Sequence, residues 1–173
     1  MNLGNLRLIG SGNIGATNVL RTGNKVAAAL TVILDGGKGY AAIYVTLSLF
    51  EAVYLPFTGI AVFLGHIFPI YYRFKGGKGV ATFLGIVLAV NALIGIIVCM
   101  VWLSLALLSK KSSLAALGSS VSTPLFLFLH QPDERIPLVV FLTIFIWWAH
   151  KDNIKRLLLK TEPSINFKKN AQE

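Results

Sequence analysis

Apolar residues fall in five long runs, 26–50, 53–72, 80–108, 114–129 and 136–149, separated by short polar stretches. A bilayer core of about 30 Å is crossed by about 20 apolar residues of helix, so the pattern predicts an all-α, polytopic membrane bundle. Two runs are irregular. The first is interrupted by Asp35-Gly36-Gly37-Lys38-Gly39, and the third is long for one crossing. Basic residues cluster between the runs, at Arg7/Arg21/Lys25, Arg73/Lys75/Lys78, Lys110/Lys111 and 151–169. Lys and Arg collect in cytoplasmic loops, and all four clusters share one side if 80–108 is a hairpin of short helices turning around 91–95. That predicts about six crossings, some short or broken, with both termini inside. Glu51-Ala52 and 130–135 then form external loops, and Trp147 and Trp148 anchor the last helix at the interface. No internal repeat or second domain is visible, so 1–173 reads as a single membrane-embedded domain.

Composition strengthens the membrane reading. The chain is 55% hydrophobic and 13% charged, with a mean hydropathy of +0.70, too apolar for a soluble domain of this length. A formal charge of +9 invites nucleic acid as a partner. The cations lie between apolar segments, however, with no basic stripe among exposed aromatics, so no nucleic acid is expected. Membrane lipid headgroups or an anionic substrate fit better. The single cysteine, Cys99, lies within an apolar run and forms no intrachain disulfide. Three scattered histidines and few carboxylates make no metal-ligand set. Residues 1–11 lack the apolar core of a cleavable signal, so insertion is expected to rely on the internal apolar runs.

Three segments between the runs carry candidate chemistry. Residues 10–21 and 74–82 are glycine-rich and cationic and contain no acid; glycine lets a backbone approach a phosphate closely. In the third, residues 150–157, His150 and Asn153 share a helix face. Each segment alone reads equally as a loop, an interfacial anchor or an orientation signal. Together they place Ser, Thr, Asn, His, Arg and Lys on one membrane face. Such a set binds phosphate without by itself showing catalysis.

The run 11–18 followed by Arg21, the run Gly65-His66-Ile67-Phe68-Pro69 leading into 74–82, and His150 with Asn153, Ile154, Arg156 and Leu157 together resemble the three signatures of the bacterial acyl-phosphate:glycerol-3-phosphate acyltransferases. The resemblance covers nearly the whole chain in the right order. It implies an enzyme of phospholipid biosynthesis in the bacterial inner membrane, with its signature loops facing the cytoplasm. Its substrates would be acyl phosphate and glycerol 3-phosphate, its products lysophosphatidic acid and inorganic phosphate, and it would need no cofactor. Acyl phosphate is already activated, so no protein nucleophile is required. What remains is to hold two phosphates, orient a hydroxyl and stabilise developing charge.

Matching the family's motifs assigns Ser11, Arg21, Lys78, His150 and Asn153 to glycerol 3-phosphate, with His150, Asn153 and Lys78 as the catalytic group. Asn13, Thr17, Asn18, Lys75, Gly76, Gly77 and Gly79 complete the substrate-binding set. The backbone of 76–79 with Thr17 and Asn18 is the expected cradle for the acyl phosphate, although exchanging the two phosphates would not contradict the sequence. His150 can be a general base or a phosphate ligand, and the leaving phosphate can itself take the proton. Asp35 and Lys38 are spaced to pair, and read either as a self-paired break that lets their helix bend around the site or as substrate contacts; His66 reads as structural and His130 as irrelevant to chemistry.

Family members usually carry a further apolar helix before the first signature. Two expectations follow: a misassigned start, or a shortened and catalytically incomplete paralogue whose first signature hangs from residues 1–10. In the third signature Lys160 stands where glycine is common, with Glu162 following, a change expected to be tolerated in a cytoplasmic tail. The rival classes are a transporter of a phosphorylated solute, which predicts polar residues at mid-depth, and a non-catalytic assembly partner.

Overall fold

The computed structural model describes residues 4–130 and 134–165. Residues 131–133 of the expected external loop and the basic tail beyond 165 lie outside them. Among the described residues the regular structure is helical: α1 (Ala16–Leu20), α2 (Lys25–Leu49), α3 (Leu55–Ile67), α4 (Val80–Val90), α5 (Ala92–Ser109), α6 (Ser112–His130), α7 (Ile136–Ala149) and α8 (Lys151–Leu158). Four segments are long and apolar enough to cross a membrane, namely α2, Ala52–Tyr72 around α3, α5 and α6, while α4 and α7 are shorter. The protein is an integral membrane helical bundle. Its large exposed side chains include Ile33, Leu34, Phe57 and Leu108, the inverse of a soluble surface and suited to contact with lipid.

Local sequence explains where the helices begin and end. Asn24 caps α2 by accepting from the Ala27 N–H, and Asn91 caps α5 through the Ile94 N–H, each satisfying one orphan donor of a first turn. Asn91 also ends α4 in an extended conformation, so the long third run divides there. α5 then doubles back, bringing Gly95 against the Leu88 backbone. Pro124 lies inside α6 and cannot donate to the Ser120 carbonyl. The Thr143 hydroxyl on α7 lies 2.9 Å from that carbonyl and 2.7 Å from the Val139 carbonyl of its own helix, so its one hydrogen is shared between them and partly satisfies the freed carbonyl.

One expectation fails. The stretch 35–39 does not interrupt its helix: α2 is continuous across it. Gly85 on α4 sits so close to the Gly36 carbonyl that any Cβ would overlap it, and Gly39 meets Thr82 in the same way. The glycines therefore let two helices touch backbone to backbone. The Thr82 hydroxyl donates to the Asp35 carbonyl at 3.0 Å across this contact. Phe63, Phe83, Ile86, Val98, Leu138, Leu142 and Ile146 fill a single core among α3, α4, α5 and α7. The rigid α2–α4 pair fixes the start of α4, where the cavity opens.

Candidate active site

A cavity of about 320 Å³ lies at one end of the bundle, bounded by α1, the loop before α4, the start of α6 and the α7–α8 junction. Its polar wall carries Ser11, Asn13, Thr17, Asn18, Arg21, Lys78, His150, Asn153 and Glu162, and its apolar wall carries Val32, Val80, Leu84, Cys99 and Trp102. Residues from all three signatures thus line one space, although Arg21 and Asn153 stand 132 positions apart in the chain.

The first signature is a scaffold for a guanidinium. Asn18 is buried, 2% exposed. Its Oδ1 accepts from the Ser11 N–H at 3.2 Å and from Arg21 at 3.0 Å, and its Nδ2 donates to the Leu6 carbonyl at 2.8 Å. Arg21 also reaches the Ser11 hydroxyl at 3.5 Å and the Pro163 carbonyl at 3.4 Å. Burial lowers the Arg21 pKa, Glu162 counters, and Arg156 adds to the lowering. Asn18, read from sequence as a phosphate ligand, spends its polar atoms on orienting Arg21 and the loop. Thr17 bonds the Ser112 hydroxyl at 2.9 Å, tying α1 to α6.

The second signature divides. Lys78 and Gly79 line the cavity, whereas Lys75, Gly76 and Gly77 do not. The N–H groups of Gly76 and Gly77 donate to the Ile67 and His66 carbonyls, so the expected cradle is committed to the fold at those two positions. Lys75 is exposed, and its carbonyl accepts from Arg7 at 2.7 Å. Gly79 caps α4 with φ +81 and lies so close to the Phe63 ring that any Cβ would overlap it; a side chain fits neither the left-handed backbone nor the space. The first-turn N–H groups of α4, including those of Val80 and Ala81 on the cavity wall, have no partner within the helix. Free N–H groups at a helix start are chemically suited to an anion.

The third signature closes the site. His150 and Asn153 are each 4% exposed. The His150 ring lies with Nδ1 2.8 Å from the Ile146 carbonyl. A carbonyl only accepts, so the hydrogen is on Nδ1, and in the neutral ring Nε2 is an acceptor. Burial lowers the pKa to about 4; the Ile146 bond opposes this, Lys78 adds to it, and Glu162 opposes. His150 is therefore neutral near pH 7. Lys78 donates to the Asn153 side-chain oxygen, and its pKa is lowered by burial, then by Arg156, against Glu162 and Asp152.

Glu162 is the residue that sequence reasoning missed. Regarded as a tolerated tail residue, it is buried, 6% exposed. Its carboxylate accepts from Asn153 at 2.6 Å, Ser113 at 2.8 Å and Arg156 at 2.8 Å. Burial pushes its pKa up, but those three hydrogen bonds and the Arg156 charge outweigh it and hold the group below the usual carboxylate range. The available signal was an isolated acid in a basic tail. Asp35, Lys38 and His66 form a second cluster: Lys38 lies 2.6 Å from both the Asp35 carboxylate and the His66 Nδ1. Asp35 and His66 line the cavity, and the His66 ring packs on Gly77.

A family model described as glycerol-3-phosphate acyltransferase matches residues 1–160. A protein of Roseobacter denitrificans with that name is 48% identical over 169 residues, covering 98% of this chain and 84% of its own. Its namesake in Dinoroseobacter shibae is 50% identical over 167 residues, covering 96% and 82%. Among solved structures, the glycerol 3-phosphate form of PlsY (YgiH), an integral membrane glycerol 3-phosphate acyltransferase, superposes with a TM-score of 0.90 at 38% identity, covering 94% of this chain and 83% of that one. The lysophosphatidic acid form superposes with a TM-score of 0.85 at 38% identity, covering 89% and 80%.

Proposed function

The chain belongs to the glycerol-3-phosphate acyltransferase family and is an integral membrane acyltransferase of lipid biosynthesis; on that premise we propose that its donor is acyl phosphate and that the cavity described above holds both substrates. The observation that carries this reading is the convergence of Ser11, Arg21, Lys78, His150 and Asn153 on one cavity whose other wall is apolar. Two phosphates need cations and donors, and an acyl chain needs the apolar wall.

In the proposed arrangement Arg21, Ser11 and Lys78 hold the phosphate of glycerol 3-phosphate, Arg21 by its planar fork and Lys78 as a point charge. The first turn of α4 faces the acyl phosphate, with its N–H groups directed at developing negative charge. The primary hydroxyl oxygen attacks the carbonyl carbon, the bond from that carbon to the bridging oxygen breaks, and the electron pair leaves with phosphate. The hydroxyl proton passes to His150 Nε2 or to a leaving-phosphate oxygen. The Nδ1–H bond to Ile146 favours His150 as acceptor of the hydroxyl proton over His150 as donor to a phosphate, since neutral Nε2 has no hydrogen to donate. A pKa of about 4 makes it a weak base in the empty site, and an adjacent phosphate dianion would raise it.

The decisive experiment is phosphate release from a defined acyl phosphate by the purified chain, with lysophosphatidic acid followed in parallel. Release that depends on glycerol 3-phosphate is the expected result. Release without lysophosphatidic acid, or none at all, would remove the acyl-phosphate reading. The inner membrane is the proposed location, with the signature loops facing the cytoplasm. A cysteine at exposed Lys75 would then label only from the cytoplasmic side; labelling from outside would reverse the orientation.

A further inference from the structure

Beyond α8 the backbone reverses. Lys160 adopts φ +59, the Thr161 N–H donates to the Arg156 carbonyl at 2.8 Å, and residues 161–165 run back, without regular secondary structure, across the polar end of the cavity. Two clasps hold this segment to the α5–α6 corner. The first is apolar: Ile165 is 5% exposed and sits with Ala106 and Ala115 among Leu20, Trp102 and Leu105, while its N–H donates to the Lys110 carbonyl at 2.8 Å. The second is polar: the Lys111 ammonium donates to the Glu162 carbonyl and, at 3.0 Å, to the Ser164 hydroxyl. Neither Ile165 nor Lys111 lines the cavity.

Between the clasps the segment touches two signatures directly and the other through one bond. The Pro163 carbonyl accepts from Arg21, and the Glu162 carboxylate accepts from Asn153, whose other side-chain atom accepts from Lys78. A half-buried guanidinium and a buried amide keep their orientation only if their polar partners are fixed. Here the fixed partners come from a five-residue strap that has no hydrogen-bonded element of its own to hold it.

We infer that residues 161–165 are a working part of the glycerol 3-phosphate site: a strap, fastened by Ile165 and Lys111, that positions Arg21, Asn153 and Lys78 for the acceptor's phosphate. The inference rests on the assignment of those three residues to glycerol 3-phosphate made above. It gives the Lys110-Lys111 pair a role beyond setting orientation. Ile165 and Lys111 are positioning residues, since neither touches substrate.

The test uses the full chain and two readouts, calorimetric binding of glycerol 3-phosphate without donor and initial-rate kinetics in which each substrate is varied. Ile165→Ala is expected to weaken glycerol 3-phosphate binding and raise its KM about tenfold, with the KM for acyl phosphate changed less than about twofold. Ile165→Val, which retains most of the apolar clasp, should stay near wild type. Lys111→Met should repeat the Ile165→Ala pattern by an independent route, and it carries the test if Ile165→Ala does not fold. Unchanged glycerol 3-phosphate binding in folded Lys111→Met would overturn the strap, and so would an equal rise in both KM values, which marks a general structural loss. A wild-type chain that neither binds glycerol 3-phosphate nor makes lysophosphatidic acid would instead defeat the functional assignment on which the strap depends.

Discussion

Acidification should destabilise the fold through His150 before the Glu162 carboxylate is protonated. The ring is buried and hydrogen-bonded through Nδ1, and its pKa falls from the ordinary 6.5 to about 4. Between those values the unfolded chain binds a proton that the folded chain refuses, so stability falls with falling pH. The contribution is complete above 6.5 and is lost progressively toward 4. Taking the two values at face value, the loss between pH 8 and pH 5 is about 2 kcal/mol. Glu162 contributes little in that window, because its pKa lies below the usual carboxylate range and its contribution disappears only at lower pH. The assay is thermal or denaturant unfolding of wild type and His150→Gln in one detergent from pH 8 to pH 5. Wild type should lose stability across the range, while the variant, which lacks the buried ring, should lose about 2 kcal/mol less. Parallel curves would refute the reasoning, because the pH dependence would then arise elsewhere.

Four further outcomes follow from the same contacts. Glu162→Ala removes the acceptor of Asn153, Ser113 and Arg156 and should destabilise the protein by about 3 kcal/mol, seen as a lower Tm; an unchanged Tm would return this residue to the role of a tolerated tail position. Thr143→Val leaves the Ser120 carbonyl beside Pro124 without its donor and should cost about 1–2 kcal/mol with KM values unaltered, and a neutral result would mean that another group satisfies the carbonyl. Gly79→Ala forces a side chain into a left-handed backbone against Phe63 and should lower kcat/KM at least about tenfold, whereas wild-type kinetics would show that the α4 N-terminus does not need its present position. Arg21→Ala should raise the KM for glycerol 3-phosphate and depress kcat, since substrate and transition state both carry the phosphate charge; unchanged kinetics would remove Arg21 from the site.

Much of the molecule was written in the order of its residues. Apolar runs long enough for a bilayer set the helices, because the cost of exposing a backbone amide to hydrocarbon leaves little alternative to a helix. Asn91 marked the division of the third run, because a side chain that caps the next helix from an extended backbone ends the previous one. The three signatures named most of the cavity's polar wall, since glycines, hydroxyls and unpaired cations are needed locally wherever a phosphate is to be held.

What remained hidden depended on contacts between distant segments. Whether Gly36 and Gly39 break a helix or seat another against it was decided by Gly85 and Thr82 on α4, some forty or more positions away. Whether Gly76 and Gly77 present their N–H groups to a ligand was decided by the His66 and Ile67 carbonyls, which take them. The burial of Glu162 required Ser113, Asn153 and Arg156 to converge on one carboxylate. Local sequence dictates which backbone shapes and hydrogen-bonding groups are available, but a donor or a charge acquires its role only when packing determines which partner reaches it first.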